Sequence, residues 1–176
     1  MDDWSSLIAG AFLNASEPQQ WADLGCGEGT FTYALGSLLP AGSAIHAVDV
    51  APQRLRERVG DVLITFLQTD FERKHLPLSN LDGILLANAI HYVRDKESLI
   101  HKLLHYCKPS HTLITVEYDT VVANPWVPYP IDFGTLKTLF QRMGYRDVRQ
   151  LGKRKSRYGG DMYAMWVKNR RYPHAG

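Results

Sequence analysis

Short apolar runs recur along this chain at Trp21–Leu24, Ala44–Val50, Val62–Leu67, Leu81–Ala89 and Thr112–Tyr118. Helix-like segments separate most of them. Phe31–Leu39 is closed by Pro40-Ala41-Gly42, Pro52–Val59 has proline in its first turn, and Lys96–Tyr106 is stopped by Lys108-Pro109. Such alternation predicts βαβ units, a parallel sheet and an α/β fold. Ahead of the first run, Trp4, Leu7, Ile8, Ala11 and Phe12 fall at helical spacing within Trp4–Leu13, and Pro18 follows. An amphipathic helix therefore opens the chain within residues 1–18. The tail differs, with a helix over Ile131–Met143 capped by Gly144. Tyr145–Leu151 and Met162–Lys168 then read as strands joined by Gly152–Asp161, a closing β-hairpin. One domain over residues 1–176 is expected, because this length supports one buried core.

The first apolar run leads into Ala22-Asp23-Leu24-Gly25-Cys26-Gly27-Glu28-Gly29-Thr30. Three glycines at a strand-to-helix turn permit positive φ and let a ligand approach the backbone, while the helix beyond offers free N–H groups. The second run, Ala44-Ile45-His46-Ala47-Val48-Asp49-Val50, ends in an acid 49 − 29 = 20 residues past the last glycine. An acid at the tip of the neighbouring parallel strand is placed to receive ribose hydroxyls. Turn and acid together imply a nucleoside-containing cofactor.

Composition narrows the setting. The chain is 45% hydrophobic and 22% charged, and no run approaches the roughly 20 apolar residues of a bilayer span. The opening Met1-Asp2-Asp3-Trp4 is acidic where a secretory signal would be basic, so a cytoplasmic protein without membrane contact is expected. Cys26 and Cys107 read as free thiols. A formal net charge of +2 is too small to imply nucleic acid.

With these features in hand, the chain resembles the class I S-adenosylmethionine-dependent methyltransferases, in their small-molecule, type 11-like branch. Asp23-Leu24-Gly25-Cys26-Gly27-Glu28-Gly29 carries the hallmark acid-x-Gly-x-Gly-x-Gly. The resemblance implies a three-layer Rossmann-like fold, with a seven-stranded, mostly parallel sheet, an antiparallel last strand and helices on both faces. It implies S-adenosylmethionine as cofactor and S-adenosylhomocysteine as product. By matching position, Gly25, Gly27 and Gly29, with Cys26 between them, would pass under the methionine part. Asp23 would help through water or the amino group, and Asp49 would hold the ribose with Val50 beside it. Gln68-Thr69-Asp70-Phe71 would place Asp70 at the adenine amino group and Phe71 against the ring. In Leu85-Leu86-Ala87-Asn88-Ala89-Ile90-His91-Tyr92-Val93, a carbonyl near Asn88 would receive the methionine ammonium, and His91 and Tyr92 would face the transferring methyl. Many family members carry a larger N-terminal cap and a longer insertion after the fifth strand. Here only one helix and Val121–Asp132 stand in those places, so a shallow pocket, or one completed by a partner chain, is expected.

Methyl transfer from a sulfonium needs positioning and water exclusion, plus a base when the acceptor carries a proton. His91 is the best-placed base at a strand end, and Tyr92 a pocket wall. Glu117 ends the run Leu113–Val116 and reads equally as an active-site rim or a solvated carboxylate. Asn124–Phe133 combines three prolines with three aromatics, either as a substrate wall or as a packing loop. Gly152–Gly160 gathers four cations, read as a solvated hairpin tip. Arg54, Arg56 and Arg58 are expected to point to solvent from a short helix. His101 and His105 lie four apart on a helix, but His111 and the other residues complete no metal site, so none is expected. A nicotinamide dehydrogenase would need Gly at position 30, where Thr30 stands. The resemblance implies an oxygen or nitrogen of a small molecule as the methyl acceptor. An RNA or protein methyltransferase and a catalytically idle cofactor-binding subunit are the alternatives, with oligomeric state open.

Overall fold

The computed structural model describes residues 3–12, 15–156 and 160–169. Among them, eight strands form one sheet: β1 (Gln20–Leu24), β2 (Ala44–Asp49), β3 (Arg58–Val59), β4 (Val62–Gln68), β5 (Leu81–Ala87), β6 (Cys107–Tyr118), β7 (Asp147–Lys155) and β8 (Asp161–Asn169). Their spatial order is β3-β4-β2-β1-β5-β6-β8-β7. The run β4-β2-β1-β5-β6 is parallel, and β8 lies antiparallel between β6 and β7. The hairpin thus inserts the last strand as expected. The extra strand is β3, a two-residue antiparallel edge on β4.

That edge corrects the expected helix over Pro52–Val59. Residues 51–57 are irregular, and Gly60, at φ 56, turns the chain straight back onto β4. Local helix propensity loses to two tertiary contacts. The Arg56 guanidinium lies 4.0 Å from the centroid of the Tyr33 ring, and the Arg56 backbone N–H donates to the Tyr33 hydroxyl at 3.1 Å. Arg56 is therefore engaged with Tyr33 rather than merely pointing to solvent.

Among the described residues four helices flank the sheet: α1 (Asp3–Ile8), α2 (Thr30–Gly36), α3 (Lys96–Leu104) and α4 (Phe133–Arg142). α1 runs into a 3-10 turn at Ala9–Ala11, shorter than the expected Trp4–Leu13, whose last residue lies outside the described residues. Asp95 caps α3 by accepting the Ser98 N–H at 3.0 Å, and Asp132 caps α4 through the Thr135 N–H at 3.0 Å. The second cap sets α4 two residues inside the expected Ile131 start. Pro109 does not stop a helix but lies in β6, beside the irregular step in the β5–β6 pairing. Proline is tolerated there because no ladder N–H is needed.

Two apolar layers result. Leu7, Ile8, Phe31 and Leu35 from α1 and α2 pack on one face with Trp21, Ile45 and Ile114. Leu99, Leu103, Leu136 and Phe140 from α3 and α4 pack on the other with Leu24, Val48 and Ile84. The central strands are buried on both faces, as in parallel sheets generally.

Gly83 in β5 permits this packing at its tightest point. A Cβ there would run into the Trp21 indole, itself fully buried. Gly83→Ala is expected to lower stability by about 1–3 kcal/mol through overpacking, read from urea unfolding. An unchanged midpoint would contradict the packing described.

Candidate active site

The carboxyl ends of four parallel strands bring the expected cofactor residues together. Pairing of Leu24 with Val48, Asp49 with Gln68, and Asp23 with Leu85 levels the tips of β1, β2, β4 and β5. The turn after β1 is then fastened to β2. Gly25 and Cys26 N–H both donate to the Val48 carbonyl, at 2.8 and 3.0 Å, and Gly27 N–H donates to Asp49 Oδ2 at 2.8 Å. Asp49 Oδ1 accepts the Ala51 N–H at 2.9 Å. Gly25, Gly27 and Gly29 take φ of 77, 49 and 87, the left-handed region where glycine alone is at ease. At Gly25 close approach adds to this, because a Cβ would stand 2.7 Å from the Ala89 Cβ and 3.7 Å from the Phe71 ring. A Cβ on Gly27 would meet nothing within 4 Å, so that part of the turn faces open space.

Around this turn, Val50 is exposed beside Asp49. Asp70 Oδ1 accepts N–H groups of Glu72 and Arg73 at 2.9 and 3.0 Å, shaping the loop that carries Phe71. Lys102 on α3 grips that same loop, its ammonium donating to the carbonyls of Phe71, Glu72 and Lys74. Asn88 sits at φ 52, which ends β5 two residues before the expected Ala89, and its N–H donates to Val116 O at 2.8 Å. Its Oδ1 is buried without a hydrogen-bond partner.

Asp23 is placed differently from its neighbours. It lies buried beneath the turn, Oδ2 accepting the Thr32 hydroxyl at 2.6 Å and Oδ1 without a partner. Burial pushes its carboxyl up to about 7, against the lowering effect of Thr32. Cys26 is also buried, and burial with the nearby Asp23 and Asp49 pushes its thiol up to about 12, so it is no nucleophile at neutral pH.

Next to the turn lies a cavity of about 640 Å³ lined by Asn88, His91, Tyr92, Tyr118, Trp126 and Asp161 among others. His91 follows β5 in a 3-10 turn, Ile90–Tyr92, and is 2% exposed. Its Nδ1 is 2.6 Å from Glu117 Oε2, while Glu117 Oε1 accepts the N–H groups of Ile90 and His91 at 3.0 and 3.3 Å. Glu117 is 1% exposed, which corrects its reading as a solvated strand-end carboxylate. A buried carboxylate must be met by donors, and here all three come from the His91 turn. Nδ1–H therefore donates to Glu117, and in the neutral ring the lone pair lies on Nε2. Tyr92 is exposed, with its ring centroid 4.3 Å from that of His91. The proline-aromatic loop reaches this cavity through Asn124, Trp126 and Val127. Buried Lys96, at the start of α3, fastens the loop by donating to the carbonyls of Val93 and Tyr129 at 2.7 and 2.8 Å.

Sequence reasoning missed Lys96 and Lys102, whose ordinary helical positions give no sign that both ammoniums turn onto loop carbonyls. The basic run is also corrected in part. Lys153 and Lys155 lie within β7 and pair with Asp119 and Asp161, each at 2.7 Å, while Arg157, Tyr158 and Gly159 lie outside the described residues. His101 on α3 and His105 just past its end are exposed, but His111 is buried on β6 against the Tyr145 hydroxyl at 2.8 Å. No helix among the described residues is long and apolar enough to cross a membrane.

Comparison with known proteins agrees with this geometry. A family model described as a methyltransferase domain matches residues 22–113, just over half of the chain. An uncharacterized methyltransferase of Mycobacterium tuberculosis is 26% identical over 113 residues, covering 62% of this chain and 57% of that protein. The chain thus matches less than two thirds of that relative. Among solved structures, a SAM-dependent methyltransferase from Aquifex aeolicus superposes with a TM-score of 0.65 at 15% identity, covering 94% of this chain and 92% of its own. The N-methyltransferase NodS from Bradyrhizobium japonicum, in complex with S-adenosyl-L-homocysteine, gives 0.64 at 15% identity, with 96% and 89% covered. At such identities these structures speak for the fold.

Asp23 generates a pH prediction. Its folded value of about 7 stands above the ordinary 3.8, so between about pH 4 and pH 7 the folded chain holds a proton that the unfolded chain has lost. Stability from this group therefore falls as pH rises through that window, by up to about 4 kcal/mol. Asp23→Asn is expected to flatten the dependence and to unfold later than the parent at about pH 8 in thermal scans. An identical pH dependence in parent and variant would contradict the buried, protonatable carboxyl.

Proposed function

Because the chain belongs to the methyltransferase-domain family, we propose that it moves a methyl group from S-adenosylmethionine to an oxygen or nitrogen of a small molecule held beside His91. The observation that carries this reading is the His91–Glu117 pair, set in a cavity that shares Asn88 with the glycine-turn site. The cofactor supplies an electrophilic methyl on a sulfonium and leaves as S-adenosylhomocysteine.

The residues present fit that cofactor. The open space above Gly27 suits the methionine part lying over Gly25, Gly27 and Gly29. Asp49 holds one N–H on each oxygen, and each oxygen retains a lone pair for the ribose hydroxyls. Asp70 and the Phe71 ring, with exposed Val50, would take the adenine, and the Asn88 carbonyl the methionine ammonium. Asp23 would act from beneath, through the turn it supports. His91 Nε2 accepts the acceptor's proton, and Glu117 stabilises the imidazolium that forms. Tyr92 walls the cavity. The ion pairs of Lys153 and Lys155 leave those two cations less available to a phosphate backbone.

Two measurements check the assignment. Calorimetric titration with S-adenosylhomocysteine should show binding, and Asp49→Ala should weaken it by about 1–3 kcal/mol. Lys102→Met should weaken it less and leave the melting temperature near the parent's; no heat of binding in the parent would overturn the cofactor assignment. With an accepted substrate, His91→Ala should lower kcat by about 10²–10⁴-fold while S-adenosylhomocysteine affinity holds. Unchanged turnover would remove the base.

A further inference from the structure

We infer that the methyl acceptor is an amine on an aromatic body, an inference that rests on the methyltransferase reading above. Three aromatic rings, Tyr92, Tyr118 and Trp126, and two carboxylates, Asp119 and Asp161, line the cavity, and among its described lining residues there is no lysine or arginine. Lys153 and Lys155 reach the two carboxylates from β7 without lining the cavity themselves. Trp126 is 80% exposed at the mouth, open to stack on a ligand ring.

The charge change during the reaction selects nitrogen over oxygen. An amine arrives as an ammonium ion and gives one proton to His91 Nε2. Its freed lone pair then forms the N–C bond as the C–S bond breaks, with that bond's electron pair remaining on sulfur. The product nitrogen is again cationic, and His91 returns its proton to water. Positive charge thus grows on the acceptor as the methyl moves, where the ring faces stabilise it and Asp119 and Asp161, each already paired with a lysine, add only a residual attraction. A phenol would first have to become an anion against three aromatic ring faces, with no lysine or arginine among the described lining residues to receive it, and would end as a neutral ether. The same groups oppose that path.

The test uses the full chain saturated with S-adenosylhomocysteine and three probes of similar size: phenethylamine, 4-ethylphenol and 3-phenylpropionate. Binding is followed by calorimetric titration, which reads the parent and the variants alike. Phenethylamine should bind about tenfold tighter than 3-phenylpropionate and several-fold tighter than 4-ethylphenol. Asp161→Asn should shrink the advantage over the carboxylate about threefold, and Trp126→Ala should weaken phenethylamine. Equal or tighter binding of the phenol or the carboxylate overturns the inference, as does binding of none of the three. The saturation step keeps the failures apart. If S-adenosylhomocysteine itself does not bind, the methyltransferase reading falls; if it binds and the amine is not preferred, only the acceptor class falls.

Discussion

A single buried carboxylate organises the active end of this protein. Glu117, near the end of β6, accepts the N–H groups of Ile90 and His91 and the Nδ1–H of His91, all from the turn that follows β5. Removing a carboxylate from water costs several kcal/mol unless donors replace the solvent, and truncating a partner leaves the charge uncompensated. The turn is therefore held in one geometry by the need to satisfy Glu117. That geometry turns Nδ1 toward the carboxylate, places the ring in the cavity wall, and keeps Asn88 at the rim the cavity shares with the end of β5.

The rest of the site is secured in the same manner, through backbone groups held by side chains and strand ends. The Val48 carbonyl takes two N–H groups of the glycine turn, and Asp49 takes a third. On the opposite face, α3 anchors two loops at once: Lys96 holds Val93 and Tyr129 at the acceptor cavity, and Lys102 holds Phe71, Glu72 and Lys74 at the cofactor side. Burial draws Lys96 below the usual lysine range, while the nearby Glu117 charge opposes that shift. Under the proposed function both reactants would meet loops tied to one helix, which favours reproducible positioning over local flexibility.

The sheet, its parallel core, the inserted last strand and the glycine turn after β1 were legible in the sequence. Each rests on short-range signals: apolar runs of strand length, glycines at alternate positions, and an acid at a fixed interval. What was not legible depended on distant partners. Pro52–Val59 has local helical character, yet Arg56 finds Tyr33 and Gly60 turns Val59 back as a strand. Glu117 looked like any strand-end acid because its partners lie 26 and 27 residues earlier. Lys96 and Lys102 occupied unremarkable helical positions, and only the fold shows carbonyls within reach of both. The cations of Gly152–Lys155 belong to β7 rather than a free tip, and Lys153 and Lys155 pair with Asp119, just past the end of β6, and Asp161, at the start of β8.

The central claim is that a buried Glu117 holds His91 as a base with Nε2 unprotonated. Nitrogen-15 NMR of the imidazole side chains reads this directly at neutral pH. The account predicts that His91 carries its proton on Nδ1 with an unprotonated Nε2, and that Glu117→Gln abolishes this single-tautomer signature. An Nε2–H tautomer for His91 in the parent protein, or a signature unchanged by Glu117→Gln, would contradict it.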